Sequence, residues 1–197
     1  MASSAADIPR GVRLGLDVGQ VRVGLAASDP DGLLAVPVRT LRRDAKKDRD
    51  IALVVREAAE RDAVQVFVGL PRSLRGNETA STQMAREYAE RLAGALADAG
   101  MDLPVRLVDE RLSTVSAHQA LRQAGMDTRD HRRVVDQAAA VGILQHALEM
   151  QRSLGREVGE PVQLRRLPRP EGAAPAPNQE PAISQQTDTE GGSGRES

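Results

Sequence analysis

Acidic side chains stand at three places where a carboxylate needs a reason. Asp17 sits inside the aliphatic run "RLGLDVGQVRVGLAASD" (13–29), the pair Asp109-Glu110 closes "VRLVDE", and Asp136 precedes the Ala-rich stretch "QAAAVGILQHAL". An ionised carboxylate among apolar neighbours is costly unless something pairs with it. The chain has no cysteine, which excludes thiol catalysis, disulfides and thiolate metal sites. Its three histidines (His118, His131, His146) leave little room for an imidazole-rich zinc site. A metal bound by these acids would therefore be held through oxygen, which selects a hard ion such as Mg²⁺ or Mn²⁺. Each acid also has a plainer reading. Asp17 could accept backbone N–H groups in a turn, Asp109-Glu110-Arg111 could form a strand-end ion pair, and Asp136 could sit in a helical first turn favoured by the dipole.

The elements that must position these acids follow from periodicity. Arg13–Val18 and Arg22–Ser28 read as strands, with Gly19-Gln20 forming a hairpin turn between them. Alternation puts Val12, Leu14, Leu16 and Val18 on one face, and Arg13, Gly15 and Asp17 on the other. Leu34–Leu41 reads as a third strand whose Pro37 suits an edge. Asp48–Arg61 is an amphipathic helix, and Val64–Val68 a strand ending in Gly69-Leu70-Pro71. A loop through Gly76 leads to an Ala-rich helix from Glu78 to Ala99, closed by Gly100. Pro104–Val108 is a fifth strand, and there Asp109 alternates with Val105 and Leu107, Glu110 with Arg106 and Val108. Unless the strand ends in a bulge, only one of that pair can share a face with Asp17. Thr114–Gln123 reads as a helix, Ala124–His131 as a loop and Arg132–Arg152 as the last helix. Three antiparallel strands followed by alternating helix and strand predict an α/β fold, a mixed five-stranded sheet flanked by helices.

Composition narrows the class further. The 197 residues are 40% hydrophobic yet hold one Phe, one Tyr and no Trp, so the core must be aliphatic. A stacking platform of the single-strand-binding kind is excluded. The net charge of −1 hides an asymmetry: residues 157–197 carry 4 basic and 7 acidic side chains, so residues 1–156 are close to +2. That is too small to argue for nucleic acid by itself. The densest basic cluster is Arg42, Arg43, Lys46, Lys47 and Arg49. From residue 157 the sequence turns to Pro, Gly, Gln, Ser and Glu, which predicts a disordered tail over 157–197, and residues 1–10 a disordered extension. Residues 11–156 are the expected folded domain. No apolar run is long enough to span a bilayer and no signal peptide is evident, so a cytoplasmic protein is expected.

The segments "GLDVGQVRVGLAASD", "VGLPRSLRGNETAS", "VRLVDERLSTVSAHQAL" and "VVDQAAAVGILQHAL" together resemble the YqgF family, also called RuvX, of the ribonuclease H-like superfamily. The resemblance covers about residues 11–150 in four ordered blocks. It implies a ribonuclease H-like fold and a nuclease for structured nucleic acid. Two roles are attributed to the family: maturation of the pre-16S rRNA 5′ end, and Holliday junction resolution by analogy with RuvC resolvases. It implies Asp17, Glu110 and Asp136 as catalytic acids, with Asp109 as a further metal-ligand candidate beside Glu110, and Mg²⁺ or Mn²⁺ as cofactor. Arg22, Arg111, Arg132 and Arg133 become candidates for phosphate contacts, which fix register without reading sequence. The chain departs from the pattern in three places. Arg133 stands where RuvC-like enzymes carry a further acid, Gln20 where Thr is common, and Leu112-Ser113-Thr114 where Leu-Thr-Thr is usual. The partner is thus nucleic acid, an rRNA precursor or branched DNA, taken by a monomer or a homodimer.

Two rivals compete with this reading. An Asp-x-Gly hairpin also opens the ATP-binding fold of sugar kinases and actin-like proteins, but that fold needs two such domains. A non-catalytic RNA-binding module for ribosome assembly keeps the fold and basic rim without cutting, and the missing fourth acid favours it.

Overall fold

The computed structural model describes residues 8–72, 77–109 and 129–163; within the last segment, 129–135 are described as backbone only. Two units separate along the chain, 1–164 and 165–197, and every described residue belongs to the first. Six strands form one sheet in the order β3-β2-β1-β4-β5-β6. They are β1 (Arg13–Val18), β2 (Arg22–Ser28), β3 (Ala35–Arg42), β4 (Gln65–Leu70), β5 (Val105–Asp109) and β6 (Glu160–Pro161). β1, β2 and β3 pair antiparallel, β4 joins β1 in parallel and β5 joins β4 in parallel. The mixed sheet is thus the one the alternation predicts. β3 takes the edge position that Pro37 requires, and the ladder shifts register opposite it, between Leu25 and Ala26.

Three helices cover the sheet among the described residues. α1 (Arg49–Glu60) and α2 (Ala80–Asp98) lie on one face, while α3 (Arg129–Leu154) lies on the other. The first face holds the larger core: Leu14, Leu16, Val18, Val23, Leu25, Val66, Val68, Leu70, Val105 and Leu107 pack against Ile51, Val54, Tyr88, Leu92 and Leu96. The second is built from smaller groups, with Ala26, Ala35, Phe67 and Val108 facing Ala140, Leu144, Ala147 and Leu148. Thr79 starts α2 with a reciprocal capping box to Thr82.

Three expectations need correction. The last helix begins at Arg129 rather than Arg132, so residues 129–131, assigned to a loop, are helical. The sheet has six strands rather than five, because Glu160–Pro161 pairs antiparallel with Arg106 and Leu107. Residues 157–163, assigned on composition to the tail, lie against the sheet. Val158 is buried, Arg106 donates to the Val158 and Gly159 carbonyls (2.6 and 2.9 Å), and Glu157 accepts from Gln65. Gln65 and Gln151, both fully buried, complete that network through a 2.9 Å bond. A Pro/Gly/Glu-rich composition hides such a strand, because only one buried apolar residue marks it. At the other end, Arg10 pairs with Asp31 at 2.7 Å and the Pro9 carbonyl accepts from Arg13. The predicted helix over 114–123 lies outside the described residues.

Candidate active site

The site begins with two glycines. Gly15 and Asp17 share the face of β1 turned toward α3, and Asp17 pairs directly with Gly24 of β2. A Cβ on Gly15 would come within 2.5 Å of Leu144 Cβ, and one on Gly24 would overlap the Asp136 carbonyl oxygen. Both distances are shorter than a real Cβ tolerates, so glycine at 15 and 24 is what lets α3 settle on the sheet. Ala140, one turn further along, completes the contact with both glycines. The backbone of Asp136 therefore rests on the residue beside Asp17. Asp17 and the backbone of Asp136, 119 positions apart in sequence, both adjoin Gly24 because no side chain stands between strand and helix.

Asp136 is held as well as placed. Arg22, which alternates with Gly24 on the same face of β2, donates from Nε to Asp136 Oδ2 at 2.7 Å. Both side chains are only partly exposed, at 30% and 20%. A charge-assisted contact of this length, with part of the water excluded, fixes the rotamer of the carboxylate. Arg22, expected as a phosphate contact, is paired here with Asp136.

Alternation also fixes the face of Asp109. Val105 and Leu107 pack into the core beneath α1 and α2, and Asp109 follows them in phase. Asp17 belongs to the opposite face, under α3. The Asp109 carboxylate lies 3.8 Å from Arg72 Nε, and the same guanidinium is 3.9 Å from Glu160 of β6. Arg86 donates twice to Glu160, and this holds that carboxyl below its ordinary pKa. Asp109 therefore joins an ion-pair network at the sheet edge. Arg72 was not singled out by sequence, because its loop carries no periodic signal.

Glu110 and Arg111 lie outside the described residues, as do the side chains of Arg132 and Arg133. The structure seats the Asp136 backbone on Gly24, the strand partner of Asp17, bonds Arg22 to Asp136, and places Asp109 beside Arg72. Among the described residues no group of three acids or histidines forms a metal cluster. Two hard carboxylates from a strand and a helix are nevertheless the right donor kind for Mg²⁺ or Mn²⁺. No described helix is long and apolar enough to cross a membrane.

Residues 11–150 match the family model described as "RuvX: Holliday junction resolvase". The chain belongs to the RuvX family. Its curated relatives include three proteins named "Putative pre-16S rRNA nuclease". The one from Clavibacter sepedonicus is 50% identical over 157 residues, covering 80% of this chain and 94% of its own. That from Frankia casuarinae is 52% identical over 141 residues, covering 72% and 68%. That from Mycobacteroides abscessus is 48% identical over 155 residues, covering 79% and 91%. A Thermus thermophilus RuvC chain, solved in complex with a Holliday junction substrate, aligns over 77% of this chain and 99% of its own, with TM-score 0.48 and 18% identity. Asp17, Asp109-Glu110 and Asp136 all lie within the segment matched to the RuvX family.

Proposed function

We propose that this RuvX-family chain is a divalent-metal-dependent nuclease that hydrolyses phosphodiester bonds in structured nucleic acid, and that its substrate is the 5′ end of pre-16S rRNA. The observation that carries the reading is the seating of Asp136 on Gly24, the strand partner of Asp17. Nothing about stability requires two acids to meet under a helix, whereas a cation site does. The names of the relatives at about 50% identity support the substrate.

In this reading Asp17 and Asp136 hold Mg²⁺ or Mn²⁺ and Glu110 adds a third carboxylate; Asp109, on the other face and beside Arg72, is the weaker ligand candidate. When bound, divalent ions lower the pKa of the attacking water and offset charge on the leaving oxygen. Asp17 contributes a carboxylate fixed by a paired strand, so its position costs no reorganisation. Arg22 holds the Asp136 carboxylate through its Nε. Arg111, Arg132 and Arg133 supply phosphate contacts that set the register of the strand. In-line attack leaves a 5′-phosphate and a 3′-hydroxyl. The protein works in the cytoplasm, where rRNA is matured.

A second reading, Holliday junction resolution, has the family description in its favour. Symmetric junction cleavage needs two active sites and hence a homodimer. The deciding experiment offers an rRNA precursor and a four-way DNA junction to the protein with Mg²⁺ or Mn²⁺. The expected result is cleavage of the precursor that Asp17→Asn abolishes with little change in thermal stability. Cleavage of the junction alone would favour the resolvase. Cleavage of neither would leave a non-catalytic RNA-binding assembly factor, and full activity in Asp17→Asn would overturn the site.

A further inference from the structure

The basic cluster between β3 and α1 does not act as a block. Arg43 turns inward, its guanidinium 4.5 Å above the Tyr88 ring and 4.0 Å from the buried Asp50. Arg49 lies 3.6 Å from Asp44. Arg42, Lys46 and Lys47 remain exposed, and among the described residues no ion pair engages them. The acids nearest to them in sequence are already taken: Asp44 by Arg49, and Asp48 by Arg91 of α2.

Arg42 lies beside the site rather than apart from it, and Lys46 and Lys47 follow it in the turn that leads from β3 to α1. Arg42 is the register partner of Arg22, so both leave the face that carries Asp17 and Asp136. The next residue, Arg43, donates its N–H to the Val21 carbonyl (2.9 Å), which docks the turn against the tip of the β1–β2 hairpin. That turn is stiff. The Asp44 side chain accepts from the Lys47 N–H (3.1 Å), the Asp44 carbonyl from Asp48 (2.9 Å), and the Ala45 carbonyl from Arg91 (3.0 Å).

We propose that Arg42, Lys46 and Lys47 form a track for the phosphate backbone of the nucleic-acid strand that runs outward from Asp17 and Asp136. The inference rests on the nuclease reading above and extends it. The track grips charge without reading sequence, because phosphate contacts carry no base information. The chain's two aromatic side chains, Phe67 and Tyr88, are fully buried, so no base can stack on them. Holding the strand is left to ion pairing, and ion pairing to phosphate has a distinctive signature: affinity that falls linearly with salt on a logarithmic scale.

The test is fluorescence anisotropy of the full chain with two labelled RNAs, the pre-16S 5′ end and one of unrelated sequence, across a KCl series in EDTA to prevent cutting. In R42Q/K46Q/K47Q the log K against log [salt] slope is expected to become shallower by about 2–3 for both RNAs, with about 0.7–0.9 lost per phosphate contact. An equal charge change elsewhere, R10Q/R56Q/R152Q, is expected to leave the slope unchanged. Those residues lie before β1, on α1, and in the last turn of α3. The melting temperature of each variant checks that it is folded. An unchanged slope in the track variant, or an equal loss in the control, would overturn the track while wild-type cleavage left the nuclease reading standing. A wild-type protein that bound neither RNA in a salt-dependent way would overturn both.

Discussion

Along β1, Leu14, Leu16 and Val18 turn toward α1 and α2, while Gly15 and Asp17 turn toward α3. The same six residues thus serve two opposite designs. On the first face large aliphatic side chains keep the helices at ordinary packing distance and supply most of the apolar burial. On the second, glycine and alanine draw one long helix down until its backbone touches the strands. The first arrangement stabilises the domain. The second seats the backbone of Asp136 on the strand partner of Asp17, and it tolerates no added atom.

The contrast can be broken from either side. Leu16→Ala opens a cavity in the fully buried aliphatic face and is expected to cost about 2–5 kcal/mol in urea unfolding, with activity per folded molecule unchanged. Loss of activity in molecules that remain folded would show that the two faces are not separable. Gly24→Val forces a side chain into the Asp136 carbonyl, a backbone atom that can yield only if α3 lifts. Its expected cost is smaller, about 1–3 kcal/mol, but cleavage should disappear in molecules that circular dichroism shows to be folded. Retained cleavage would mean that close seating of the helix does not matter.

Arg22→Gln sharpens the comparison within the second face. The Arg22–Asp136 pair is partly exposed, so its loss should change stability by less than about 1 kcal/mol. Because Arg22 orients the acid, activity should fall about 10- to 100-fold, and a steeper requirement for Mn²⁺ should accompany the loss. Arg22→Lys should restore part of it. The smallest effect expected is a response to pH. Burial holds the His146 imidazole of α3 below its ordinary pKa, against an opposing influence from Glu149. The folded state then binds fewer protons than the unfolded chain, so stability falls as pH drops from about 6.5 through the lower folded-state value. A slightly lower melting temperature at pH 5 than at pH 7.5 is expected, and His146→Gln should flatten the difference.

Much of this was legible in the sequence because strand alternation is a strict rule. It placed Gly15 and Asp17 on a common face and put Asp109 in phase with Val105 and Leu107. The hairpin, the edge position of β3 and both α1 and α2 followed from turn residues and 3.6-residue periodicity. Proximity across the molecule was less visible. Gly24 reads as an ordinary small residue in a strand until the helix that rests on it is known, and Arg22 cannot be matched to Asp136 across 114 positions by pattern alone. The start of α3 at Arg129 was obscured by polar residues without an apolar stripe. β6 was obscured because two residues paired to a neighbouring strand leave no period to detect.

The account stands or falls on whether Asp17 and Asp136 share a cation. Mn²⁺ titration of the full chain, followed by the electron paramagnetic resonance signal of the free ion, measures this without reference to any substrate. The wild-type protein is expected to take up Mn²⁺, and Asp17→Asn and Asp136→Asn are each expected to weaken uptake by at least about tenfold while remaining folded. Wild-type uptake in either folded variant would contradict the claim.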